Sequence, residues 1–148
     1  MNQVQTQGAS LGFNYFLDDH FTLNGNYSWN KLVKTDENDP IIPAFNTPEH
    51  KYNVGLTARG LEGVSKDQWG FGMNYRWVQG FVFEGSPQFT GFVPSYDLLD
   101  VQANYKFDSP GVTLKIGSSN ILRNEHIETY GGPTVGRLAY VSLAWDVN

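Results

Sequence analysis

The chain has 148 residues, enough for one ordinary domain, and carries a formal net charge of −5 from 15 acidic and 10 basic side chains. It contains no cysteine, which excludes disulfides and thiolate metal sites, and the acidic balance argues against nucleic acid as a partner. The longest unbroken apolar run covers only residues 138–141, whereas a membrane-spanning helix needs roughly 20 apolar residues.

Period-two alternation predicts four β-strands in the first half of the chain. In each run, apolar side chains alternate mainly with Asn, Ser, Thr or Gly, so the two sets lie on opposite faces of a strand. The apolar positions are Leu11, Phe13, Tyr15 and Leu17, then Phe21, Leu23, Tyr27 and Trp29, then Tyr52, Val54, Leu56 and Ala58, and finally Trp69, Phe71, Met73, Tyr75 and Trp77. Asp18 and Asp19 predict a tight turn that joins the first two runs in a hairpin.

Two long loops separate these runs from each other and from the rest. Residues 34–48 hold three prolines, a density that excludes a ladder strand, and an acidic cluster of Asp36, Glu37 and Asp39. Carboxylates are ligands that Ca²⁺ prefers, but we interpret the cluster first as a solvated loop. Residues 80–94 form the second loop, which is rich in Phe.

The last third of the chain predicts three further strands. Their apolar positions are Leu99, Val101, Ala103, Tyr105 and Phe107, then Val112, Leu114 and Ile116, then Ala139, Val141, Leu143, Trp145 and Val147. Pro110 and Gly111 predict a chain reversal between the first two, because proline presets φ and glycine tolerates positive φ.

The fold class predicted is therefore all-β, an antiparallel up-and-down meander of about seven long strands that forms part of a transmembrane β-barrel. Strands of nine or more residues exceed the usual five or six of soluble sheets and match the nine to eleven of membrane strands. The connections also alternate between short and long, as they do in outer-membrane barrels. Residues 1–148 are predicted to form one barrel segment.

The order of these features resembles the C-terminal end of TonB-dependent outer-membrane receptors. The features are Val93-Pro94-Ser95-Tyr96, a strand ending Tyr105-Lys106-Phe107, Ser119-Asn120-Ile121-Leu122, a loop with Tyr130, and Gly136-Arg137 before the last strand. Residues 45–56 also look like a loop-to-strand transition that recurs in those barrels. The resemblance implies nutrient uptake in the cell outer membrane, without enzymatic activity or cofactor. The implied partners are outer-membrane lipid, the plug and remaining barrel strands, and the TonB complex through a missing N-terminal part.

Strand parity leads to the expectation that the chain is a fragment. Single-chain bacterial barrels have an even number of strands with both ends on the periplasmic side, whereas seven strands leave the ends on opposite sides. Residues 1–7 also lack the basic and apolar regions of a secretion signal. Receptors of the implied kind have about 22 strands around a plugged lumen, so the chain would supply roughly a third of the wall.

Alternation alone leaves a soluble, lipocalin-like barrel that binds a small apolar ligand as an alternative, since the apolar faces would then point inward. A small complete membrane barrel is a further alternative, but it would need one more strand to close its edges. Charged residues make up 17% of the chain, against about 25–35% on common soluble surfaces. Aromatic residues near the strand ends also favour a membrane wall, because amphipathic rings belong at its two interfaces. They are Trp29, Trp69, Trp77, Phe107 and Trp145.

Chemical signals are sparse, and no catalytic, cofactor or metal site is predicted. His20, His50 and His126 lack the spacing of metal ligands. The candidate ligand-binding residues lie in the Phe-rich loop and are Phe81, Phe83, Glu84, Gln88, Phe89 and Phe92; packing of the loops against one another is the simpler interpretation of these aromatics. Four polar-face residues, Arg59, Asn74, Arg76 and Asn104, are predicted to face the lumen and contact the plug.

Overall fold

Seven antiparallel strands form one sheet in the computed structural model, which describes residues 4–34, 45–64, 66–86 and 88–146. The strands are β1 (Val4–Phe16), β2 (Phe21–Lys34), β3 (His50–Glu62), β4 (Gln68–Val78), β5 (Phe81–Ser86), β6 (Phe89–Val93), β7 (Tyr96–Phe107), β8 (Val112–Ser119) and β9 (Leu138–Trp145). The main sheet has the order β1-β2-β3-β4-β7-β8-β9, and β5 pairs only with β6. The predicted meander is confirmed. Among the described residues, no helix is long and apolar enough to cross a membrane.

Three details differ from the sequence prediction. Strands β8 and β9 have 8 residues each, fewer than the nine expected. Residues 80–94 are not an irregular loop, because the β-branched and aromatic residues of β5 and β6 pair as a hairpin. Strand β3 continues past Ala58 through a β-bulge, where Gly60 has a φ of +63°. The connection from β3 to β4 is therefore limited to residues 63–67. The acidic cluster of Asp36, Glu37 and Asp39 lies outside the described residues.

The strand register separates an apolar face from a polar face across the whole sheet. On the apolar face, Leu11 near one edge is 73% exposed, Met73 in the centre 43%, and Val141 on the last strand 74%. Small residues on this face lie beneath aromatic rings: Phe13 covers Gly25, and Ala58 is buried between its cross-strand neighbours Phe21 and Phe71. Large apolar side chains therefore form an outward surface and not an enclosed core.

Aromatic residues mark both ends of the strands. Trp69 and Trp145 lie where β4 begins and β9 ends, at the end of the short turns, while Trp29 and Trp77 lie at the opposite end. The Trp145 indole donates a hydrogen bond to the Pro110 carbonyl at 3.1 Å, and the Trp29 indole donates to Glu49 Oε1 at 3.3 Å. Each indole thus has an apolar body on the sheet and a polar partner beyond it, as interfacial tryptophans do.

Carboxylates hold the short turns together. Asp18 Oδ1 accepts from the backbone N–H groups of His20 at 2.8 Å and Phe21 at 2.7 Å. Asp67 connects two neighbouring turns, since its carboxylate accepts from the Tyr105 hydroxyl at 3.0 Å and from the Asp108 N–H at 2.8 Å. These bonds fix the chain reversals that set the register of the strands.

We expect Asp18→Ala to lower the thermal stability of the β1–β2 hairpin, and Asp19→Ala, our control, to have little effect. The two backbone hydrogen bonds, chiefly that from His20, hold the pKa of the Asp18 carboxyl below its ordinary value of 3.8. Because the folded-state pKa is the lower one, this contribution to stability is present above pH 3.8 and is lost as the pH falls through the folded-state pKa. Unfolding followed against pH checks both points, and equal acid sensitivity of Asp18→Ala and the unmodified chain would contradict them.

Candidate functional site

The three long connections all leave the main sheet at the same end, which we call the long-loop end. They comprise residues 35–49, residues 79–95 with the β5–β6 hairpin, and residues 120–137. The three short turns, at 17–20, 63–67 and 108–111, lie at the opposite end. This separation gathers the irregular parts of the chain, where binding residues are most often found, on one side of a rigid scaffold.

One face of the β5–β6 hairpin packs against the connection between β8 and β9. The rings of Phe83 and Phe89 meet edge to face with centroids 6.3 Å apart, and Phe89 meets Tyr130 in the same way at 5.6 Å. A Cβ atom at Gly91 would overlap the Tyr130 ring, so this contact requires glycine. The hairpin is therefore anchored by a ring cluster that joins two connections far apart in sequence.

Asn46 joins the connection between β2 and β3 to the β5–β6 hairpin. Asn46 Oδ1 accepts from the Glu84 N–H at 2.7 Å, and Asn46 Nδ2 donates to the Glu84 carbonyl at 3.0 Å. The carboxamide thus satisfies both backbone groups of one strand residue, in the manner of a paired strand. All three long connections are consequently linked through β5 and β6.

The candidate ligand residues of the hairpin do not form a single surface. Phe83 and Phe89 are brought together with Tyr130, whereas Phe92 lies on the opposite face across from Val82, and these last two side chains are 59% and 54% exposed. Gln88 is exposed in the turn between β5 and β6. Ligand binding by these residues stays a prediction; for Phe83 and Phe89 the observed contacts are those of loop packing.

Two asparagines, one buried and one half-buried, attach the start of the 120–137 connection to β7. The backbone N–H of Asn120, a residue that is 2% exposed, donates to Asp100 Oδ1 at 2.9 Å, and its side chain exchanges two 2.8 Å hydrogen bonds with the backbone of Asn124. Asn124 Nδ2 in turn donates to Asp97 Oδ1 at 2.9 Å. The backbone φ of Asn120 is +53°, a region that asparagine tolerates better than most residues. The network holds the connection in place over the polar face.

The three histidines each have local structural contacts. His126 is buried, stacks on Tyr96 with ring centroids 4.2 Å apart, and has its Nε2 atom 3.8 Å from Glu128 Oε1. His50 Nδ1 lies 2.6 Å from the Tyr27 hydroxyl, and His20 Nδ1 lies 3.0 Å from the Arg59 carbonyl oxygen. Across the described ranges, no group of three His, Cys, Asp or Glu side chains is placed to hold a metal ion.

The residues predicted to face the lumen follow the polar face of the sheet. Asn74 and Asn104 extend over cross-strand glycines, because a Cβ atom at Gly55 would lie 3.2 Å from Asn74 Oδ1 and one at Gly70 would lie 3.1 Å from Asn104 Oδ1. Arg76 is exposed and pairs with Asn53. Arg59 is also exposed, but it lies at the β3 bulge, where the register shifts. Their contact with a plug stays a prediction.

A large cavity opens on the polar face at the long-loop end. We call it the polar cleft, and its volume is about 590 Å³. The side chains that define its chemistry are Asn26, Lys51, Asn53, Arg76, Tyr96 and Glu128, with Phe81 of the hairpin at its rim. Two cations, one carboxylate, two amides and two aromatic rings of this set thus converge on one site, the arrangement expected of a binding pocket with a few placed polar groups.

Sequence reasoning identified Arg76 and Phe81 but missed the other members of the polar cleft. Asn26, Lys51 and Asn53 were assigned only to strands, although they share the face of Arg76 by simple parity. Tyr96 lies at the start of β7, before the alternation from Leu99 that predicted this strand. Glu128 comes from a connection whose position depends on Asn120 and Asn124, so it offered no local signal.

The family model described as "TonB dependent receptor-like, beta-barrel" matches residues 2–121, which is most of the chain. No curated protein and no solved structure matches the chain significantly.

We expect Asn120→Ala to destabilise the protein by about 1–3 kcal/mol, because it removes the side-chain hydrogen bonds with Asn124 and leaves buried partners unsatisfied. Arg123→Ala is the matched control, since Arg123 also has a positive φ, of 57°, but its side chain is exposed. Thermal unfolding in detergent and the rate of proteolysis within residues 120–137 measure the effect. Equal stability of the two variants would show that the network contributes nothing beyond backbone conformation.

Proposed function

The chain belongs to the TonB-dependent receptor-like β-barrel family, and we propose that it forms part of the wall of an outer-membrane receptor that takes up a nutrient ligand. The family is one of outer-membrane transporters and not of enzymes. The observation that carries the proposal is the match of the family model over residues 2–121, together with an exposed apolar face on the seven-stranded sheet. The same two facts support localisation in the cell outer membrane.

Contact with outer-membrane lipid is supported by the chemistry of the apolar face. Its side chains are Leu, Val, Ile, Phe, Tyr and Trp, and strands β1 to β4 and β7 have 11 to 14 residues, enough to cross the hydrocarbon layer. Aromatic rings at both strand ends supply the two interfacial girdles of such a wall. A soluble lipocalin-like barrel would enclose this face, whereas in the described residues it is exposed.

The rest of the barrel is proposed from the edges of the sheet. Among the described strands, β1 pairs only with β2 and β9 only with β8, so each leaves one row of backbone groups without strand partners. Unpaired edges are not tolerated in lipid, and further strands are the partners that would close the wall. In this proposal residues 1–148 act as one barrel segment and do not divide into domains.

The polar face is proposed to line the lumen and to contact the plug, and the family's link to the TonB complex would operate through parts of the receptor outside this segment. Asn74, Arg76 and Asn104 share that face by register. We include Arg59, which lies near the short-turn end, among the residues proposed to contact the plug. A face of amides and glycines suits contact with water and another protein surface, and it would be unfavourable in hydrocarbon.

Ligand recognition is proposed to take place at the long-loop end. Phe81 at the rim of the polar cleft and the exposed Phe92 offer aromatic surface, and Glu84 and Gln88 offer polar groups on the same hairpin. Phe83 and Phe89 would act through the ring cluster that holds the hairpin. Aromatic rings are suited to stack on a sugar or an aromatic chelator.

We expect Met73→Lys to impair membrane insertion and Asn74→Lys to be tolerated. The two residues are adjacent near the middle of β4 but lie on opposite faces, so the same cation is placed in lipid or in the lumen. A lysine at the lipid-facing midplane costs about 2–4 kcal/mol. Heat-modifiable gel migration of the full protein and protease protection in liposomes measure insertion. The membrane assignment is wrong if Asn74→Lys is the more damaging change.

A further inference from the structure

The polar cleft holds two neighbouring cations. Lys51 pairs with Val78 and Arg76 pairs with Asn53 across the β3–β4 ladder, so Lys51 and Arg76 are diagonal neighbours on one face. Diagonal cross-strand neighbours are roughly 7–8 Å apart, within reach of long side chains. Both residues are exposed to the cleft and can turn their charged groups toward the same ligand.

These cations are not paired within the described part of the chain. Its ion pairs are Lys106–Asp146, Arg123–Glu125 and His126–Glu128, so no described carboxylate lies within 4 Å of Lys51 or Arg76. Glu128 lines the same cleft, but its nearest basic atom is His126 Nε2 at 3.8 Å. Two like charges that share a concave site without such a partner repel each other, and an anionic group bound between them would relieve that repulsion.

The remaining walls of the polar cleft add hydrogen-bonding and stacking groups. The carboxamides of Asn26 and Asn53 offer both donors and acceptors, which suits hydroxyl groups, and Tyr96 and Phe81 offer ring faces. The ladder holds the floor, because β3 and β4 are each paired on both sides there and Val78, the cross-strand neighbour of Lys51, is buried. Tyr96 is held by its stack on His126. The site is therefore preorganised for one class of ligand.

We propose that the polar cleft binds a ligand that carries carboxylate and several hydroxyl groups, with Lys51 and Arg76 on the carboxylate and Asn26 and Asn53 on the hydroxyls. This inference rests on the proposed function, since the cleft would open to the outside through the long-loop end of an inserted barrel. The Phe-rich hairpin alone does not provide this set of contacts.

The test uses the full protein in detergent and isothermal titration calorimetry with two acidic probes, citrate and trigalacturonate. The trimethyl ester of trigalacturonate is the matched neutral probe, because it keeps the rings and all of their hydroxyls and replaces each carboxylate by a neutral ester. We expect at least one acid to bind, and trigalacturonate to bind about tenfold or more tightly than its ester, the change expected when one charge-assisted hydrogen bond is lost.

Substitutions of the two cations test whether Lys51 and Arg76 hold the acid. Lys51→Gln and Arg76→Gln should each weaken binding of the acid by about tenfold and leave binding of the ester unchanged. Lys115→Gln is the matched control, because it makes the same charge change on the same polar face, on β8 and away from the cleft. Heat-modifiable migration verifies that each variant has the inserted fold.

The outcomes separate this inference from the proposed function. If the protein inserts but neither acid binds, or the ester binds as tightly as the acid, the polar cleft is not an acid-binding site and the membrane assignment stands. If Lys51→Gln and Arg76→Gln lower the melting temperature without weakening the binding of the acid, the two cations serve only contact with another protein surface, such as the plug, and the inference is wrong. Failure of the unmodified protein to insert would overturn both.

Discussion

The continuous hydrogen-bonded ladder from β1 to β9 is the constraint on which the rest of this structure depends. Side chains alternate with a period of two, so a slip of one residue in any ladder would exchange the apolar and polar faces of that strand. The observed register keeps every apolar set on one side, from Leu11 beside Tyr27 to Leu114 beside Leu143. In hydrocarbon the ladder is also required by the backbone itself, because no water is present to satisfy its N–H and C=O groups.

The two ends of the sheet are built differently, and the difference suits a receptor. At the short-turn end, Asp18 satisfies backbone groups within its own turn, and Asp67 links its turn to the neighbouring one through the Asp108 N–H. At the long-loop end, the connections bind one another through the Asn46–Glu84 contact and the Phe83–Phe89–Tyr130 ring cluster. The contacts at the long-loop end form a packed layer above the strands. Such a layer gives a binding surface fixed walls, while the amino acids of the loops are free to vary.

Small residues shape both faces of the wall. On the apolar face, Gly25 lies under the Phe13 ring and Ala58 is buried between Phe21 and Phe71, so small residues leave room for the rings of neighbouring strands. On the polar face, glycines such as Gly55 accommodate the carboxamides of their cross-strand neighbours. Large side chains thus fill the space that small neighbours leave, which limits the voids that would forfeit dispersion contacts.

The sequence by itself determined the seven alternating strands, the pattern of short turns and long loops, and the family to which they belong. These features are local: an alternation such as that from Leu99 to Phe107 states which side chains share a face without reference to any other segment. Only the tertiary structure decided the pairing of β5 with β6, the bulge after Ala58 and the composition of the polar cleft. The cleft combines Lys51, Arg76, Tyr96 and Glu128 from separate segments, and their meeting depends on contacts such as those of Asn120 and Asn124 between residues far apart in the chain. Local periodicity cannot specify such contacts, because they arise only when the register of every intervening strand is already fixed.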